Sequence, residues 1–188
     1  MKFLREFVTR PAMTGALAPS SMFLAHRMLE GLALGTAEAV LEYGPGTGAF
    51  TGLILNRLKP GAKFAAIELN FQFAQIFRKR YPAVQLFQDT VANARNICDY
   101  AGISSVDCIV CGLPWAAFPE AMQVKCLDEM TRVLKPGGRF VTFAYVHGLP
   151  LPMARNFGRL LPNYFTNVSK SPVVWLNVPP AFVYRCRR

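Results

Sequence analysis

The feature that most constrains this chain is the stretch at positions 40–50, which reads Val-Leu-Glu-Tyr-Gly-Pro-Gly-Thr-Gly-Ala-Phe. It predicts an apolar strand that ends at Glu42, then a loop with Gly44, Gly46 and Gly48, then apolar residues at helical spacing. Glycine lets the chain turn tightly and lie against a ligand because it has no Cβ. The stretch therefore indicates a strand, a glycine loop and a helix that together hold a nucleotide-like cofactor.

The glycine loop is compatible with two cofactors. The spacing Gly44-x-Gly46-x-x-Ala49 matches the fingerprint of dinucleotide-binding folds, in which a pyrophosphate lies on the helix N-terminus. However, Glu42 precedes the first glycine by two residues, and its carboxylate would repel a pyrophosphate but attract the ammonium of an amino-acid-bearing cofactor. The residues therefore favour S-adenosylmethionine (SAM) over NAD. A tight turn without a ligand is the remaining alternative, although alternating glycines cost chain entropy on folding.

Acidic residues also stand at the predicted ends of two further strands. Residues 63–67 read as a buried strand that ends at Glu68, and residues 84–87 read as a strand that is followed by Asp89. Glu68 lies about as far beyond the glycine loop as the carboxylate that binds ribose hydroxyls in α/β nucleotide folds. Because the carboxyl ends of parallel strands meet at one edge of a sheet, we expect Glu42, Glu68 and Asp89 to converge there.

The rest of the chain continues this alternation of strands and helices. The further predicted strands are 106–110 and 139–144, and the further predicted helices are 71–80 and 119–134. Such alternation predicts a parallel sheet with right-handed crossovers. The end of the chain differs, because residues 165–168, 173–176 and 182–186 read as extended and predict a terminal antiparallel hairpin. We therefore expect an α/β fold with a mostly parallel sheet and a C-terminal antiparallel hairpin.

The beginning of the chain predicts two helices. Residues 2–9 place bulky apolar residues on one side and charged residues on the other, which is typical either of an interfacial membrane anchor or of a helix packed on the domain. Ser20 or Ser21 then caps a second helix that reaches about residue 34. We expect amphipathic and capping helices over residues 1–34 and the cofactor-binding domain over residues 35–188, in one compact unit.

Composition restricts the setting of the protein. The chain has 188 residues, 52% of them apolar, which suffices for one domain with a substantial core. Its five cysteines are an odd number scattered through apolar segments, which is typical of a reduced, cytoplasmic protein. Cys108 and Cys111 form a CxxC pair, but three residues apart on a strand they face opposite sides, so no metal site is expected. The sequence contains no run of about 20 apolar residues, so no membrane span is predicted.

The formal net charge of +10 predicts an acidic partner. Nucleic acid and an anionic membrane surface are both compatible with this charge. The charge is uneven, because no acidic residue follows Glu129 while nine cations do. These cations are Arg132, Lys135, Arg139, Arg155, Arg159, Lys170, Arg185, Arg187 and Arg188. The C-terminal third therefore predicts a basic surface, with solubilising charge as the alternative.

Taken together, these motifs resemble the class I SAM-dependent methyltransferases over nearly the whole chain. The matching residues are Glu42 to Gly48, Glu68, Asp89 and the Leu-Lys-Pro-Gly-Gly segment at 134–138, in the order of that family. The resemblance implies a Rossmann-like methyltransferase fold with a mostly parallel seven-stranded sheet. It implies SAM as methyl donor and S-adenosylhomocysteine (SAH) as product. It also implies a cofactor site that comprises Glu42, Tyr43, Gly44, Gly46, Gly48, Glu68, Leu69, Asp89 and Thr90.

Within this class the chain is similar to bacterial phospholipid N-methyltransferases, which methylate phosphatidylethanolamine towards phosphatidylcholine. The shared marks are the amphipathic start, residues 10–21, the Tyr-Gly-Pro-Gly-Thr-Gly loop, Gly112-Leu113-Pro114 and residues 177–181. Ornithine-lipid N-methyltransferases are similar too and remain an alternative. Ribosomal RNA adenine dimethylases look related, but they carry Asn-Leu-Pro-Tyr or Asn-Leu-Pro-Phe after strand four. Gly112 and Trp115 replace that Asn and aromatic residue here, which argues against adenine as the substrate. The residues favour a lipid-amine methyltransferase; the alternatives are a methyltransferase that acts on RNA adenine or another small amine, and a non-catalytic cofactor-binding module.

The resemblance also implies where the protein works. We expect a cytoplasmic protein that associates peripherally with the inner face of the membrane. Its partners would be a phospholipid substrate and an anionic membrane surface, which it would contact through residues 2–9 and the basic C-terminal third.

The expected chemistry needs neither a metal nor a covalent intermediate. The site must align the amine nitrogen with the methyl group and free its lone pair, since an alkylammonium has a pKa of roughly 10. We expect Gly112 and Leu113 to offer backbone carbonyls as proton acceptors, with Tyr145 and His147 as further candidates. Trp115 and Tyr145 would form an aromatic wall that attracts the cationic amine, unless both are core aromatics. The cations expected to neutralise the lipid phosphate are Arg155, Arg159 and Lys170.

Overall fold

The computed structural model describes residues 21–188, so the expectation of an amphipathic helix at residues 2–9 falls outside the described residues. The strands within this range are β1 (Ala39–Tyr43), β2 (Lys63–Ile67), β3 (Gln85–Phe87), β4 (Val106–Cys111), β5 (Leu134–Tyr145), β6 (Asn167–Lys170) and β7 (Ala181–Arg187). Its α-helices are α1 (Met22–Leu29), α2 (Thr51–Leu55), α3 (Phe71–Arg80), α4 (Ala94–Tyr100), α5 (Glu120–Val133) and α6 (Pro152–Tyr164).

The strands form one sheet in the order β3-β2-β1-β4-β5-β7-β6. β1 to β5 are parallel, and β7 is antiparallel to both β5 and β6. The chain winds outward from β1 to β3 and then returns to β4 on the other side of β1. In open α/β sheets, ligands bind outside the carboxyl ends of the strands at such a reversal. The predicted Rossmann-like fold is confirmed, and the glycine loop leaves the sheet at the reversal point.

Each face of the sheet carries its own apolar core, because side chains alternate along a strand. We call them the α5 face, which α4, α5 and α6 cover, and the α1 face, which α1 and α2 cover. Leu41 packs in the α5-face core and Val40 in the α1-face core. The predicted alternation of the CxxC pair is also confirmed, since Cys111 lies in the α5-face core and Cys108 in the α1-face core.

Two predicted helices are shorter than expected. Ser21 caps α1 by accepting a hydrogen bond from Leu24 N, but the helix ends at Leu29 instead of residue 34. The chain turns there because Gly31 and Ala33 adopt left-handed φ angles of 76° and 52°. The helix after the glycine loop, α2, has only five residues. Within residues 21–188, no helix has both the length and the apolar character needed to cross a bilayer.

The C-terminal part contains the other differences. α4 and α6 were not predicted from the sequence, and β5 begins at Leu134 because this residue already pairs with Val106. The predicted strand at 173–176 is wrong, since only an isolated bridge joins Val174 to Ala181. A longer ladder is blocked because prolines at 172, 179 and 180 donate no backbone hydrogen bond. The antiparallel end of the sheet is therefore built by β6 and β7, and residues 171–180 form a loop between them.

Candidate active site

One residue of the glycine loop, Gly46, faces open space at the carboxyl edge of the sheet. Gly44 N donates a hydrogen bond to Ile67 O at 2.8 Å, which fixes the start of the loop against the end of β2. Gly46 has a φ of 57°, in the left-handed region that glycine adopts without strain. A Cβ at Gly46 would meet no described atom within 4 Å. The positive φ therefore accounts for a glycine at position 46. The space beside it holds no described atom and can receive a ligand.

Glu68 ties the glycine loop to the end of β2. Its Oε2 accepts a hydrogen bond from Gly46 N at 3.0 Å, and its Oε1 accepts one from Asn70 N at 2.8 Å. The side chain is buried, and burial raises the pKa of the Glu68 carboxyl while these backbone donors oppose the rise. A carboxylate offers about four acceptor positions, so two bonds leave it able to accept from ligand hydroxyls.

Glu42 holds an unpaired oxygen directly before the glycine loop. The side chain is fully buried, and its Oε2 accepts a hydrogen bond from Thr51 Oγ1 at 2.6 Å. Its Oε1 is buried and has no hydrogen-bond partner among the described residues. Burial raises the pKa of Glu42 to about 8, and the nearby Glu68 contributes to the rise. A buried polar atom without a partner is costly, so this oxygen is suited to a donor that a ligand brings.

Asp89 completes the row of acidic side chains at the ends of β1, β2 and β3, which are adjacent in the sheet as predicted. Its Oδ1 accepts hydrogen bonds from Thr90 N at 2.6 Å and from Asn93 Nδ2 at 3.0 Å. Thr90 caps the following 3₁₀ turn by accepting from Ala92 N. Leu69 follows Glu68 and is partly exposed, with 37% of its surface accessible. Asp89, Thr90 and Leu69 thus lie at the edge where a ligand would reach them.

Tyr43 differs from the expectation. Its side chain is fully buried in the α5-face core, and its hydroxyl has no hydrogen-bond partner among the described residues. The residue acts through its backbone, because Tyr43 O accepts a hydrogen bond from Gly112 N at 2.7 Å. A Cβ at Gly112 would lie 2.6 Å from Gly44 O, so only glycine fits there. The segments that follow β1 and β4 therefore touch through their backbones, and this contact requires a glycine at position 112.

Trp115 belongs to the core and not to an open wall. Only 4% of its surface is exposed, and its ring stacks on Phe157 of α6 with centroids 4.3 Å apart. Its indole N–H donates to Thr142 Oγ1 at 3.1 Å, and its backbone N–H donates to Leu113 O at 3.1 Å. One of the two carbonyls expected to accept a proton, that of Leu113, therefore already accepts a hydrogen bond within the chain.

Gln123 connects the turn after β4 to α6 from a fully buried position. Its Nε2 donates to Trp115 O at 2.8 Å and to Met153 O at 2.9 Å. Its Oε1 accepts from Asn156 Nδ2 at 3.0 Å. One side chain of α5 thus joins the segment that carries Gly112 and Trp115 to the first turns of α6.

Tyr145 lies on the other side of the sheet from Trp115. It packs against the α1-face core, whereas Trp115 packs in the α5-face core, so the structure does not bring the two rings together. The Tyr145 ring stacks on His147 with centroids 5.5 Å apart and meets Phe143 edge-on at 5.4 Å. Burial raises the pKa of the Tyr145 phenol, so it stays neutral at physiological pH. The predicted aromatic wall is corrected to a Tyr145–His147 pair at the carboxyl end of β5.

The basic C-terminal third has fewer free cations than its composition indicates. Three of its cations form ion pairs, namely Arg132 with Glu129, Lys135 with Asp107 and Arg185 with Glu30. Arg155 and Arg159 lie exposed on α6 and form no ion pair within residues 21–188. Lys170, at the end of β6, lies 5.4 Å from the ring centroids of both Phe182 and Tyr184. The other cations of this third that form no ion pair within residues 21–188 are Arg139, Arg187 and Arg188.

Two residues of the site were missed from the sequence. Thr51, which pairs with Glu42, follows it by nine residues, and no sequence pattern connects a strand end with a hydroxyl at the start of the next helix. Gln123 is one of the buried residues of α5. Its amide could be recognised as a buried polar group only after the buried side of the helix was known. Both act by satisfying polar groups that the fold buries.

Comparison with known proteins agrees with this geometry. Residues 41–142 match the family model of a methyltransferase domain. An ornithine lipid N-methyltransferase from Singulisphaera acidiphila is 30% identical over 98% of this chain and 94% of its own length. An O-methyltransferase from Bacillus cereus in complex with SAH superposes with a TM-score of 0.72 at 15% identity, covering 100% of this chain and 91% of that chain. The O-methyltransferase TomG from Streptomyces achromogenes, in complex with SAM, gives 0.68 at 18% identity, covering 100% and 90%.

The chain belongs to the class I SAM-dependent methyltransferases. The family match spans the strands from β1 to β5 and includes the glycine loop, Glu68 and Asp89. Among the relatives named above, the one that aligns in sequence along almost the whole chain is a lipid N-methyltransferase.

Proposed function

We propose that this enzyme transfers a methyl group from SAM to the amine of a membrane-lipid headgroup. The observation that carries the proposal is the near full-length similarity to a lipid N-methyltransferase at 30% identity. The site supports it in two ways. An aromatic and basic pair, Tyr145 and His147, lies at the carboxyl end of β5. Exposed cations that form no ion pair within residues 21–188 are available for an anionic headgroup.

The glycine loop and its neighbours are suited to SAM. The open space beside Gly46 accommodates a ligand against the backbone, and the unpaired Glu42 Oε1 offers an acceptor for the ammonium of an amino-acid moiety. We assign the ribose to Glu68 and the adenine edge to Asp89, with Leu69 and Thr90 beside them. Once bound, SAM supplies an electrophilic methyl group on its sulfonium. A cofactor ammonium next to Glu42 would favour the ionised carboxylate, because an opposite charge lowers the pKa of an acid.

The amine must lose a proton before its nitrogen can accept the methyl group. Transfer from water into the site favours the neutral amine. We assign the amine to the edge of the Tyr145 ring system, where the phenol oxygen accepts a hydrogen bond and the ring attracts the cationic product by about 0.5–2 kcal/mol. His147, stacked on Tyr145, is the group next to it that can take the proton. The Gly112 carbonyl is the remaining candidate of the expected pair.

The anionic part of the headgroup needs positive charge at the rim of the site. Arg155 and Arg159 stand one helical turn apart on α6, so both point to the same side of the helix. Lys170 is held beside two aromatic rings at the end of β6. We assign the lipid phosphate or carboxylate to one or more of these three cations. The resulting enzyme would work at the inner face of the membrane as a peripheral protein.

Two headgroups are to be compared. Phosphatidylethanolamine is the substrate expected from the sequence, and ornithine lipid is the substrate in the name of the relative. Both lipids carry a primary amine and an anionic group, so either headgroup is compatible with the residues assigned above. We propose phosphatidylethanolamine first, because exposed cations that form no ion pair within the described part of the chain suit a phosphate.

The test is transfer of radiolabelled methyl groups from SAM to lipid. Purified protein is incubated with vesicles that contain phosphatidylethanolamine, with vesicles that contain ornithine lipid, and with ribosomal RNA. We expect labelled N-methylated lipid from the first and no labelled RNA. Label in ornithine lipid alone would identify ornithine lipid as the substrate in place of phosphatidylethanolamine. Label in RNA alone would overturn the proposal of a lipid substrate.

A further inference from the structure

The loop between β6 and β7 exposes large apolar side chains. Trp175, Leu176 and Val178 are 70%, 66% and 80% exposed, although the loop itself is anchored. Val174 pairs with Ala181, and the Asn177 side chain donates to Pro179 O at 2.7 Å. The segment 171–180 contains no charged residue. An ordered loop that presents a tryptophan and two aliphatic side chains to water indicates an interaction surface, since isolated soluble proteins rarely gather such residues.

A second exposed apolar segment lies beside this loop. Ser21 N donates to Asn177 Oδ1 at 2.9 Å, which joins the start of α1 to the middle of the loop. The next two residues, Met22 and Phe23, are 57% and 59% exposed. We call the set Met22, Phe23, Trp175, Leu176 and Val178 the apolar rim. It combines two segments that are more than 150 residues apart in the chain.

The apolar rim lies at the edge of the sheet that holds the active site. Ala181 pairs with Tyr145 across β7 and β5, and Val146 N donates to Pro180 O at 2.9 Å. The loop therefore ends next to the Tyr145–His147 pair. Ser21, where the described part of the chain begins, stands at the same edge. A surface that binds the apolar rim would thus face the amine side of the active site.

The charges around the apolar rim suit an anionic surface. Lys170, the last residue of β6, immediately precedes the loop, and no acidic residue occurs anywhere after Glu129. The net charge of the whole chain is +10. Tryptophan prefers the interfacial region of bilayers, and cations strengthen binding to an anionic leaflet. An exposed tryptophan and aliphatic side chains next to an exposed lysine are the combination that an anionic bilayer surface attracts.

We infer that the apolar rim is the surface by which the protein docks on the interfacial region of an anionic lipid bilayer. Trp175, Leu176 and Val178 enter the boundary between headgroups and acyl chains, with Met22 and Phe23 beside them. This inference rests on the proposed lipid substrate for its purpose, because docking there turns the Tyr145–His147 pair towards the headgroups. It does not depend on that substrate for its test.

Tryptophan fluorescence tests the docking directly. The chain has two tryptophans, of which Trp115 is buried and Trp175 is exposed, so a change on adding vesicles reports Trp175. We expect a blue shift with vesicles of phosphatidylglycerol and phosphatidylcholine, and quenching when the acyl chains carry bromine. The Trp175→Phe variant should show neither change. Fluorescence that vesicles leave unchanged, under conditions where the protein sediments with them, would overturn the inference.

A triple variant measures how much the rim contributes. Trp175→Ala, Leu176→Ser and Val178→Ser together should lower the vesicle partition coefficient about tenfold or more, because the apolar side chains that would be buried are removed. The matched control is Tyr100→Ser, which removes an aromatic residue that is 83% exposed at the end of α4. The control should bind vesicles like the parent, and both variants should bind free SAM like the parent. Equal partitioning of all three proteins would overturn the inference.

Three further outcomes distinguish bilayer docking from self-association and from failure of the proposed substrate. If the parent is a dimer that the triple variant converts to a monomer, and brominated lipid does not quench Trp175, the rim is a contact between copies and the inference fails. If Trp175 is quenched but no lipid is methylated, the docking surface stands and the proposed substrate fails. If vesicle lipid is methylated while Trp175 remains in water, the substrate stands and the docking surface fails.

Discussion

The Glu68 carboxylate accepts a hydrogen bond from the Gly46 N–H at 3.0 Å, which joins the end of β2 to the middle of the glycine loop. One acidic side chain therefore has two tasks. It shapes the loop on which the cofactor is expected to lie, and it keeps acceptor positions for the ribose assigned to it. The spacing between the glycine loop and this strand-end acid thus has a local structural reason in the chain, independent of any bound ligand.

Removing this carboxylate should weaken SAM binding. Glu68→Ala removes both the ribose acceptor and the anchor of the loop, and we expect a loss of about 1.5–3 kcal/mol in calorimetry with SAM. Glu38→Ala is the matched control, because Glu38 is an exposed acid whose ion pair with Lys59 lies on the surface. Unchanged SAM affinity in Glu68→Ala would remove Glu68 from the cofactor site.

Substitutions at Gly46, with Gly61 as the control position, test whether SAM binds in the open space beside Gly46. Gly46→Val places a side chain where the ligand is expected and should abolish SAM binding. Gly61→Ala and Gly46→Ala both put a Cβ on a residue with positive φ, 79° and 57°, where no described atom lies within 4 Å. Both should cost about 1–2 kcal/mol of unfolding free energy in urea titrations. Only the substitution at Gly46 should weaken SAM binding, and equal affinities would contradict the assignment of the cofactor to this loop.

Glu42 should make the stability of the ligand-free protein depend on pH. Burial raises its folded-state pKa to about 8, whereas the pKa of the carboxyl in the unfolded chain lies near 4.5. Between these values the folded state binds the additional proton, so the stability from this group is fully present below about pH 4.5 and falls as the pH rises to about 8. We expect Glu42→Gln to remove this slope, worth about 3–5 kcal/mol over the whole window.

Urea unfolding at several pH values, without SAM, measures the effect. The parent should lose stability relative to Glu42→Gln as the pH rises through this window, and the difference should level off above the folded-state pKa of about 8. Parallel curves for the two proteins across this range would contradict a raised pKa at Glu42.

We expect substitution of Trp115 to lower the free energy of unfolding and to leave SAM binding unchanged. Trp115→Ala empties a site in the α5-face core and should cost about 3–5 kcal/mol in unfolding free energy. Thr142→Val leaves the indole N–H without its partner and should cost about 1–3 kcal/mol. In both variants the protein that remains folded at low temperature should bind SAM like the parent. A Trp115→Ala variant with unchanged urea midpoint would place the ring outside the core.

Tyr145 should matter for turnover. Tyr145→Phe keeps the ring and removes the phenol oxygen, so we expect SAM affinity to stay and kcat for lipid methylation to fall about tenfold to hundredfold. His147→Ala should have a similar effect if the imidazole takes the proton. Tyr100→Phe serves as the control for loss of a phenol. Parent rates in both active-site variants would leave proton removal to the Gly112 carbonyl or to water.

The parts of the site that are local in sequence could be predicted. The glycine loop, Glu68 and Asp89 each follow directly from a strand, and parallel strands must end at one edge, so their convergence needed no tertiary information. The relation between Trp115 and Tyr145 could not be predicted in this way. It depends on which face of the sheet each side chain joins, and the stacking partner of Trp115 comes from α6, whose helical pattern is interrupted by Gly158 and Pro162.

The buried amide of Gln123 has a consequence for any attempt to redesign substrate choice. The Gln123 side chain forms hydrogen bonds with Trp115 O, Met153 O and Asn156 Nδ2 at the same time. These bonds hold the turn after β4 and the beginning of α6 in a fixed relative position. A different α6 grafted onto this fold would have to keep Asn156 and the position of the Met153 carbonyl, because otherwise the buried Gln123 loses hydrogen-bond partners. If Arg155 and Arg159 bind the headgroup as proposed, α6 can be redesigned for another headgroup only together with its contact to α5.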